Sequence, residues 1–338
     1  MIVRVLAGKI LALCILTCCG AAFAAGAAAQ GAAKSAAGYP AKPIRLIVPF
    51  AEGGAADYVA RMIEHRWSQL AGQDIVIENR PGAYGNAGVE AVARSAADGY
   101  TLLLGNLDAI AINPSLYKSA RRAVPLRDLV PVTQIADLPS ALVAHPSFPP
   151  KSAKELVAYV KPRPARFSFA SPGPGSLNRL EMERFMAASG IRMIHRPYKG
   201  GVGPAVGGLL AGEAAVMFVP LSTVAGEVRG AKLKLLAVAA GGRVAAFPNT
   251  PTLAEEGMPM SNGAWQGVFA PRGTPPPVVT KLHAMLLQVM ASPRVKFHLN
   301  GAGIDVVTSK SPQQFAGFLR AETERWAQTV KDSGATPE

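Results

Sequence analysis

Pro49-Phe50-Ala51-Glu52-Gly53-Gly54-Ala55-Ala56-Asp57 separates two stretches of different periodicity. Before it, Ile44, Leu46, Ile47 and Val48 form a short aliphatic and β-branched run that reads as a buried strand, opened by Lys42-Pro43. After it, Val59, Met62, Ile63, Trp67 and Leu70 recur at helical spacing. The chain therefore turns from strand to helix at the two glycines. A helix N-terminus carries unpaired N–H groups and a partial positive charge, and glycine lacks the Cβ that would hold an oxyanion at a distance. A carboxylate or phosphate fits such a turn; a tight βα connection without a ligand is the plainer reading of the same residues.

A chain of 338 residues is long enough for two domains of ordinary size. With 17% charged and 49% hydrophobic residues the balance is globular, and 34 glycines with 28 prolines predict many tight turns. The first 24 residues read as a secretory signal: Arg4 and Lys9, an apolar run from Ile10 to Leu16, and Ala22-Phe23-Ala24 as the cleavage site. Export to the periplasm follows, with a lipid anchor at Cys18 as the alternative, although Thr17 is large for the position before it. Cys14, Cys18 and Cys19 all lie in this segment, so the mature chain is expected to have no disulfide and no cysteine metal site. Loss of Arg4 and Lys9 leaves 33 basic against 22 acidic residues. The basic residues, among them Arg121-Arg122, Lys151, Lys154, Lys161 and Arg163, are scattered without interleaved aromatics, which reads as a solvated surface attractive to anions rather than a nucleic-acid track.

Residues 25–38 are Ala/Gly-rich and read as a flexible tether, and the fold is expected to start near Tyr39. Strand-like and helix-like runs then alternate. Ile75–Glu78, a loop at Pro81-Gly82-Ala83-Tyr84-Gly85-Asn86, a helix from Val89 and a strand Thr101–Leu104 give a βαβ order and hence a parallel sheet. Val132–Val143 is extended and interrupted only at Asp137-Leu138-Pro139; Lys151-Ser152-Ala153-Lys154-Glu155 opens a new helix. A second unit follows, with strand Phe167–Ala170, turn Ser171-Pro172-Gly173-Pro174-Gly175-Ser176, helix Leu180–Met186, and strands at Met193–His195, Ala215–Phe218 and Leu235–Ala239. Trp265–Ala270 is a late strand, Pro275-Pro276-Pro277 starts a helix, and Phe315, Phe318, Leu319 and Trp326 mark a C-terminal one. One glycine turn in each α/β unit predicts two lobes whose helix N-termini face a shared cleft, because ligands of open α/β sheets sit beyond the carboxyl ends of the strands.

At these residues the chain resembles the periplasmic substrate-binding proteins of tripartite tricarboxylate transporters, the Bug family. The likeness runs through Tyr39-Pro40-Ala41-Lys42-Pro43-Ile44-Arg45-Leu46-Ile47-Val48-Pro49-Phe50, Val76-Ile77-Glu78-Asn79-Arg80-Pro81-Gly82 and Asp98-Gly99-Tyr100-Thr101-Leu102-Leu103. It continues in Ile112-Asn113-Pro114-Ser115-Leu116-Tyr117, Pro197-Tyr198-Lys199-Gly200 and Ala270-Pro271-Arg272-Gly273-Thr274-Pro275. The resemblance implies an α/β, two-lobed periplasmic-binding-protein type II fold. Its two α/β lobes would be joined by two crossover strands, here Val132–Val143 and Trp265–Ala270, with lobe one at 39–138 plus 262–338 and lobe two at 139–261. It implies a monomeric receptor that is not an enzyme, delivering a small carboxylate to membrane permease subunits. A sensor for a membrane kinase and an exported hydrolase built on Ser176 are the alternatives. It also implies that ligand carboxylates are held by backbone N–H groups at Phe50, Ala51, Glu52, Gly53, Gly54 and Ala55 and at Ser171, Gly173, Gly175 and Ser176.

Two departures from the family pattern bear on specificity. Arg179 stands where members often have His, and is either a bidentate carboxylate partner in the cleft or an exposed helix residue. Val219 stands where members tend to carry Asp, which points to an acid without an amino group. Asn106 and Asp108, at a strand end, either read a ligand hydroxyl or cap a turn. Tyr84 is either an aromatic cleft wall or a surface ring, and Tyr198 and Lys199 lie on a loop that could approach an anion. Trp265 reads as packing. His65, His145, His195, His283 and His298 are too widely spaced for a metal site, and Gly201, Gly203 and Gly207 miss the dinucleotide spacing, so neither metal nor cofactor is expected.

Overall fold

The computed structural model describes residues 38–117, 123–173, 175–258, 260 and 263–335. The signal segment with its three cysteines, the tether up to residue 37, Arg121-Arg122 and Pro174 lie outside the described residues.

The first sheet is built around β1 (Ile44–Val48), which pairs in parallel with β2 (Ile75–Asn79) on one side and β3 (Thr101–Asn106) on the other. Helices α1 (Ala55–Ala71) and α2 (Asn86–Ala93) connect them in βαβ fashion. The aliphatic run of β1 is buried except at Arg45, which reaches Glu78 on β2 at 2.6 Å. Val59, Ile63 and Trp67 of α1 are fully buried, and α1 stops at Gly72 in the left-handed conformation. Two further strands extend the sheet beyond β3: β9 (Gly263–Pro271), antiparallel to β3, and then β4 (Leu129–Ala144), antiparallel to β9. Gly267 lets β9 pass under Phe315, since a Cβ there would stand 2.3 Å from the Phe315 ring.

β4 belongs to both halves of the molecule. Leu129–Pro139 pairs with β9, and Ser140–Ala144 pairs instead with β7 (Val216–Pro220) on one side and β8 (Lys234–Ala239) on the other. The expected interruption at Asp137-Leu138-Pro139 is thus a change of partners within one continuous strand. Proline, which has no N–H to donate, stands at the last position before the exchange. Trp265–Ala270, expected as the second crossover, pairs along its whole length within the first sheet, with β3 and the first part of β4. The chain returns from the second half between Ala239 and Gly263.

The second sheet continues from β7 to β5 (Ser168–Ser171) and β6 (Ile194–Pro197), both parallel to it. It is covered by α3 (Ala153–Val160), α4 (Leu177–Ser189), α5 (Val202–Leu210) and α6 (Leu221–Arg229). Its apolar residues form two clusters, one around Phe169, Phe185 and Phe218 and one around Ala141, Leu209 and Val219. The first half is completed by α7 (Pro276–Ala291), α8 (Pro293–Gly301), the short β10 (Asp305–Val306) on β4, and α9 (Pro312–Ser333). Trp265 is packing, as its position suggested: it meets Phe315 and Phe318 edge-on and donates to Glu322 Oε2 at 3.0 Å. Leu177 and Leu180 of α4 join the core of the first half, so this helix bridges the two.

Register places the candidate site. In the first sheet the carboxyl end of β3, Asn106, is level with Gln266 of β9 and through it with Ala136 of β4. In the second, the carboxyl end of β7, Pro220, is level with Ser140 of β4. The carboxyl ends of both sheets therefore approach the same point of β4, residues 136–140, from opposite directions.

Candidate functional site

At the first glycine turn, Gly54 caps α1 in an extended conformation with no capping side chain, so the first amides of the helix are not claimed by its own N-cap. Gly53 has φ +79°, a conformation that favours glycine. The turn is held from below by Asp57. Its carboxylate accepts from the Gly53 N–H at 3.0 Å, Arg61 Nε at 2.9 Å and Asn79 Nδ2 at 3.1 Å, and Asn79 also donates to the Phe50 carbonyl at 3.0 Å. Burial alone would raise the Asp57 pKa; the bonds from Arg61, Gly53 and Asn79 outweigh it and hold the carboxyl below its usual range. Glu52, the acidic residue in the turn, is 75% exposed and lies 3.7 Å from Arg61, so its carboxylate is turned toward the flank of α1. Ala51, Gly53 and Gly54 are exposed and Phe50 and Ala55 half-buried.

The second turn is built differently. Ser171, at the carboxyl end of β5, has no exposed surface. Its Oγ accepts from the Gly173 N–H at 3.1 Å and lies 2.6 Å from His195 Nε2 on the neighbouring strand. Ser176 Oγ donates to the Gly173 carbonyl at 2.8 Å and accepts from the Arg179 N–H at 3.3 Å, which makes it the N-cap of α4. Gly175 is half-buried between them. Arg179 is not an exposed helix residue: its side chain is 17% exposed and its Nε stands 3.3 Å from Glu183 Oε1. Its charge reaches His195, whose pKa is pushed down to about 4, by burial first and by Arg179 second.

His195 is the site residue that sequence reasoning passed over. Its spacing from the other histidines speaks only to a metal site, and its partner Ser171 is 24 residues away in the chain. Strand pairing of Phe169 with His195 and the stacking of their rings at 5.0 Å bring them together. A serine and a histidine at this distance invite comparison with a nucleophile and its base. Here, however, the hydroxyl is buried and bonded to its own turn, and a histidine so hard to protonate is a poor base. Ser176, the other nucleophile considered, spends its hydroxyl as a cap.

Asn106 stands at the carboxyl end of β3, and Asp108 follows two residues later. Asn106 donates to Asp108 Oδ2 at 2.9 Å and accepts from the Ala109 N–H at 3.1 Å, so the capping role is met. Asp108 opens a π-helical turn, Asp108–Ile112, and burial lifts its pKa to about 6. It raises the pKa of Glu181 on α4, an effect that carries from the first half of the molecule to the second. Glu181 is fully buried and accepts from Ser140 Oγ, the first residue of β4 beyond the exchange, at 2.9 Å.

Two expected residues are not brought to this group. Tyr198 folds back over α5, its ring lying where a Cβ on Gly208 would be and its hydroxyl 3.1 Å from Glu213 Oε2. Val219 is completely buried in the helix-covered face with Ala141 and Leu221, so the argument about an amino group has no footing at that position. Lys199 is exposed. Two cavities lie apart from the turns. One of about 260 Å³ sits behind the exchange point between Asp137, Trp265, Asp305 and Arg325, and one of about 680 Å³ lies between α4 and the end of α9. Neither touches a glycine turn; the candidate site is defined here by converging strand ends and helix amides. Among the described residues no group of three or more His, Cys, Asp or Glu is arranged to hold a metal ion.

Residues 59–335 match the family described as "Tripartite tricarboxylate transporter family receptor". Over 305 residues the chain is 39% identical to Protein BugT of Bordetella pertussis, spanning 89% of this chain and 92% of that one. Among solved structures it is similar to R. palustris Rpa4515 with adipate, at 32% identity and a TM-score of 0.78, over 89% of this chain and 100% of the other. It is also similar to MatC from Rhodopseudomonas palustris with bound malate, at 32% identity and a TM-score of 0.73, over 86% and 100%.

Proposed function

The chain belongs to the tripartite tricarboxylate transporter receptor family, and from that premise we propose that it captures a small carboxylate in the periplasm between its two lobes and passes it to the membrane subunits of such a transporter. The observation that carries this reading is the convergence of both sets of strand ends on residues 136–140 of β4. We place the lobes at 39–138 with 262–338 and at 139–261, as the exchange at Pro139–Ser140 suggests. One carboxylate is held by the amides of Gly54 and Ala55 and the adjoining Phe50, Ala51 and Glu52 backbone, while the Gly53 N–H stays on Asp57 and shapes the turn. The ligand's other end meets the Ser171, Gly173, Gly175 and Ser176 turn, with the Arg179 side chain on the helix that follows it. Asn106 and Asp108 read hydroxyl groups between them. Each charge-assisted bond contributes about 1.5–3 kcal/mol before ordering costs, so a few of them support micromolar affinity. No catalysis is assigned.

Adipate and malate, the ligands of the two similar structures, are the first probes. A carboxylate bound at 100 times its Kd stabilises by about 2.7 kcal/mol, which appears as a dose-dependent rise in melting temperature. No rise with any small carboxylate would overturn the receptor reading. Arg179→Ala is expected to weaken binding about tenfold or more by calorimetry, as loss of a charged partner requires. An unchanged Kd removes Arg179 from the site while leaving the backbone clamp.

A further inference from the structure

Tyr84 holds a large side chain on a backbone that favours glycine. Ala83 and Tyr84 have φ of +46° and +53°, two consecutive non-glycine residues in the left-handed region. Such strain persists only where the surroundings over-determine it, and it clusters at functional sites. The surroundings here do so: Gly85 N–H donates to the Gly82 carbonyl at 3.0 Å, and Asn113 Nδ2 donates to the Tyr84 carbonyl at 2.9 Å. Burial does not account for the arrangement, because Tyr84 remains 52% exposed. Its ring stacks on Tyr117 with centroids 5.5 Å apart and planes 24° from parallel.

The loop that carries it is wedged into the candidate site. A Cβ on Gly85, the next residue, would stand 3.2 Å from the Phe50 ring and 3.0 Å from Ala109 Cβ. One neighbour belongs to the first glycine turn and the other to the π-helical turn of Asp108. The loop follows the carboxyl end of β2, level with the end of β1 that leads into the first glycine turn.

We propose that Tyr84, backed by Tyr117, is a specificity residue of the clamp. Its exposed face receives the carbon body of the ligand and favours flat, aromatic carboxylates over saturated ones of the same charge. The inference rests on the carboxylate-receptor reading and names the ligand class within it. Offset stacking of rings predicts a preference of roughly 3- to 10-fold.

The test uses two diacids with matched carboxyl spacing, benzene-1,4-dicarboxylate and trans-cyclohexane-1,4-dicarboxylate, together with adipate, against the wild type, Tyr84→Gly and Tyr84→Phe by calorimetry. Glycine accepts the left-handed backbone, so Tyr84→Gly is expected to melt no lower than the wild type, and a binding defect is not an unfolding defect. The expected result is a 3- to 10-fold loss of affinity for the aromatic diacid in Tyr84→Gly, less than a 2-fold change for the saturated one, and full retention in Tyr84→Phe. Equal changes for both diacids, or none, overturn the proposal. Binding of adipate or malate by the wild type without either ring diacid also overturns it and leaves the receptor reading standing; binding of no small carboxylate at all overturns both.

Discussion

Asp57→Ala is expected to abolish measurable carboxylate binding and to lower the melting temperature by roughly 3–6 °C. The side chain touches no ligand in this account. It holds the shape of the first glycine turn through the Gly53 N–H, and it ties that turn to β2 through Asn79 and to α1 through Arg61. Alanine releases the exposed Gly53 N–H to water, leaves Asn79 with the Phe50 carbonyl alone and removes the charge-assisted bond from Arg61, losses of about 0.5–3 kcal/mol each. A total of about 2–4 kcal/mol corresponds to the stated fall for a chain of this size. The binding loss is larger because backbone donors recognise a carboxylate only while they converge. The pH dependence has a definite sign. A carboxyl whose folded pKa is depressed contributes stability that is present above its ordinary 3.8 and is lost as pH falls through the lowered value, so the wild type should surrender this contribution in acid and Asp57→Ala should have none to surrender. The check is a series of thermal melts from pH 7 down to pH 3 on both proteins.

Glu181→Gln is expected to stabilise the protein by about 2–3 kcal/mol at pH 8 and to change little at pH 5. Glu181 is fully buried at the junction of the lobes, with Ser140 Oγ on one oxygen and no partner on the other among the described residues. The charged groups that face it are Asp108 from the π-helical turn, Arg184 on its own helix and Arg325 on α9. Burial pushes its pKa up from 4.5 to about 8, Asp108 adds to the rise, and the Ser140 bond and the two arginines oppose it. The folded protein therefore keeps a proton that the unfolded chain releases. Between about pH 4.5 and 8 rising pH favours unfolding, and the stability this group contributes is complete only at the acid end of that window. Glutamine mimics the protonated form at every pH. Urea unfolding of both proteins at pH 5 and pH 8 measures the difference; equal stability gains at both would show that Glu181 does not titrate in that window.

The strand and helix order was legible because apolar runs of period 2 and period 3.6 alternate cleanly, and both glycine turns stood out at their junctions. What escaped the sequence depends on contacts between distant segments. β4 looked interrupted because Pro139 cannot donate to a ladder, and only the change of partners from β9 to β7 and β8 explains why it is tolerated. Asp57 carries no local sign of its role, because its bond to Asn79 joins the start of α1 to the end of β2. Glu181 carries no local sign of its burial, because nothing in the sequence around it says that both faces of α4 are covered. Tyr198 looked like a cleft residue, since it follows a strand end, but Gly208 on α5 leaves a flat surface and Glu213 a hydrogen-bond partner in the opposite direction. His195 was invisible for the same reason as Asp57, since strand pairing rather than sequence proximity puts it beside Ser171.

The central claim is that two helix-starting turns on opposite sheets act on one carboxylate ligand across residues 136–140 of β4. Titration of ¹⁵N-labelled protein with adipate, followed by amide chemical shifts, tests it most directly. The account predicts that Gly53, Gly54 and Ala55 shift together with Gly173, Gly175 and Ser176, all along a single binding curve. Shifts confined to one turn, or centred on the cavity between α4 and α9, would contradict it.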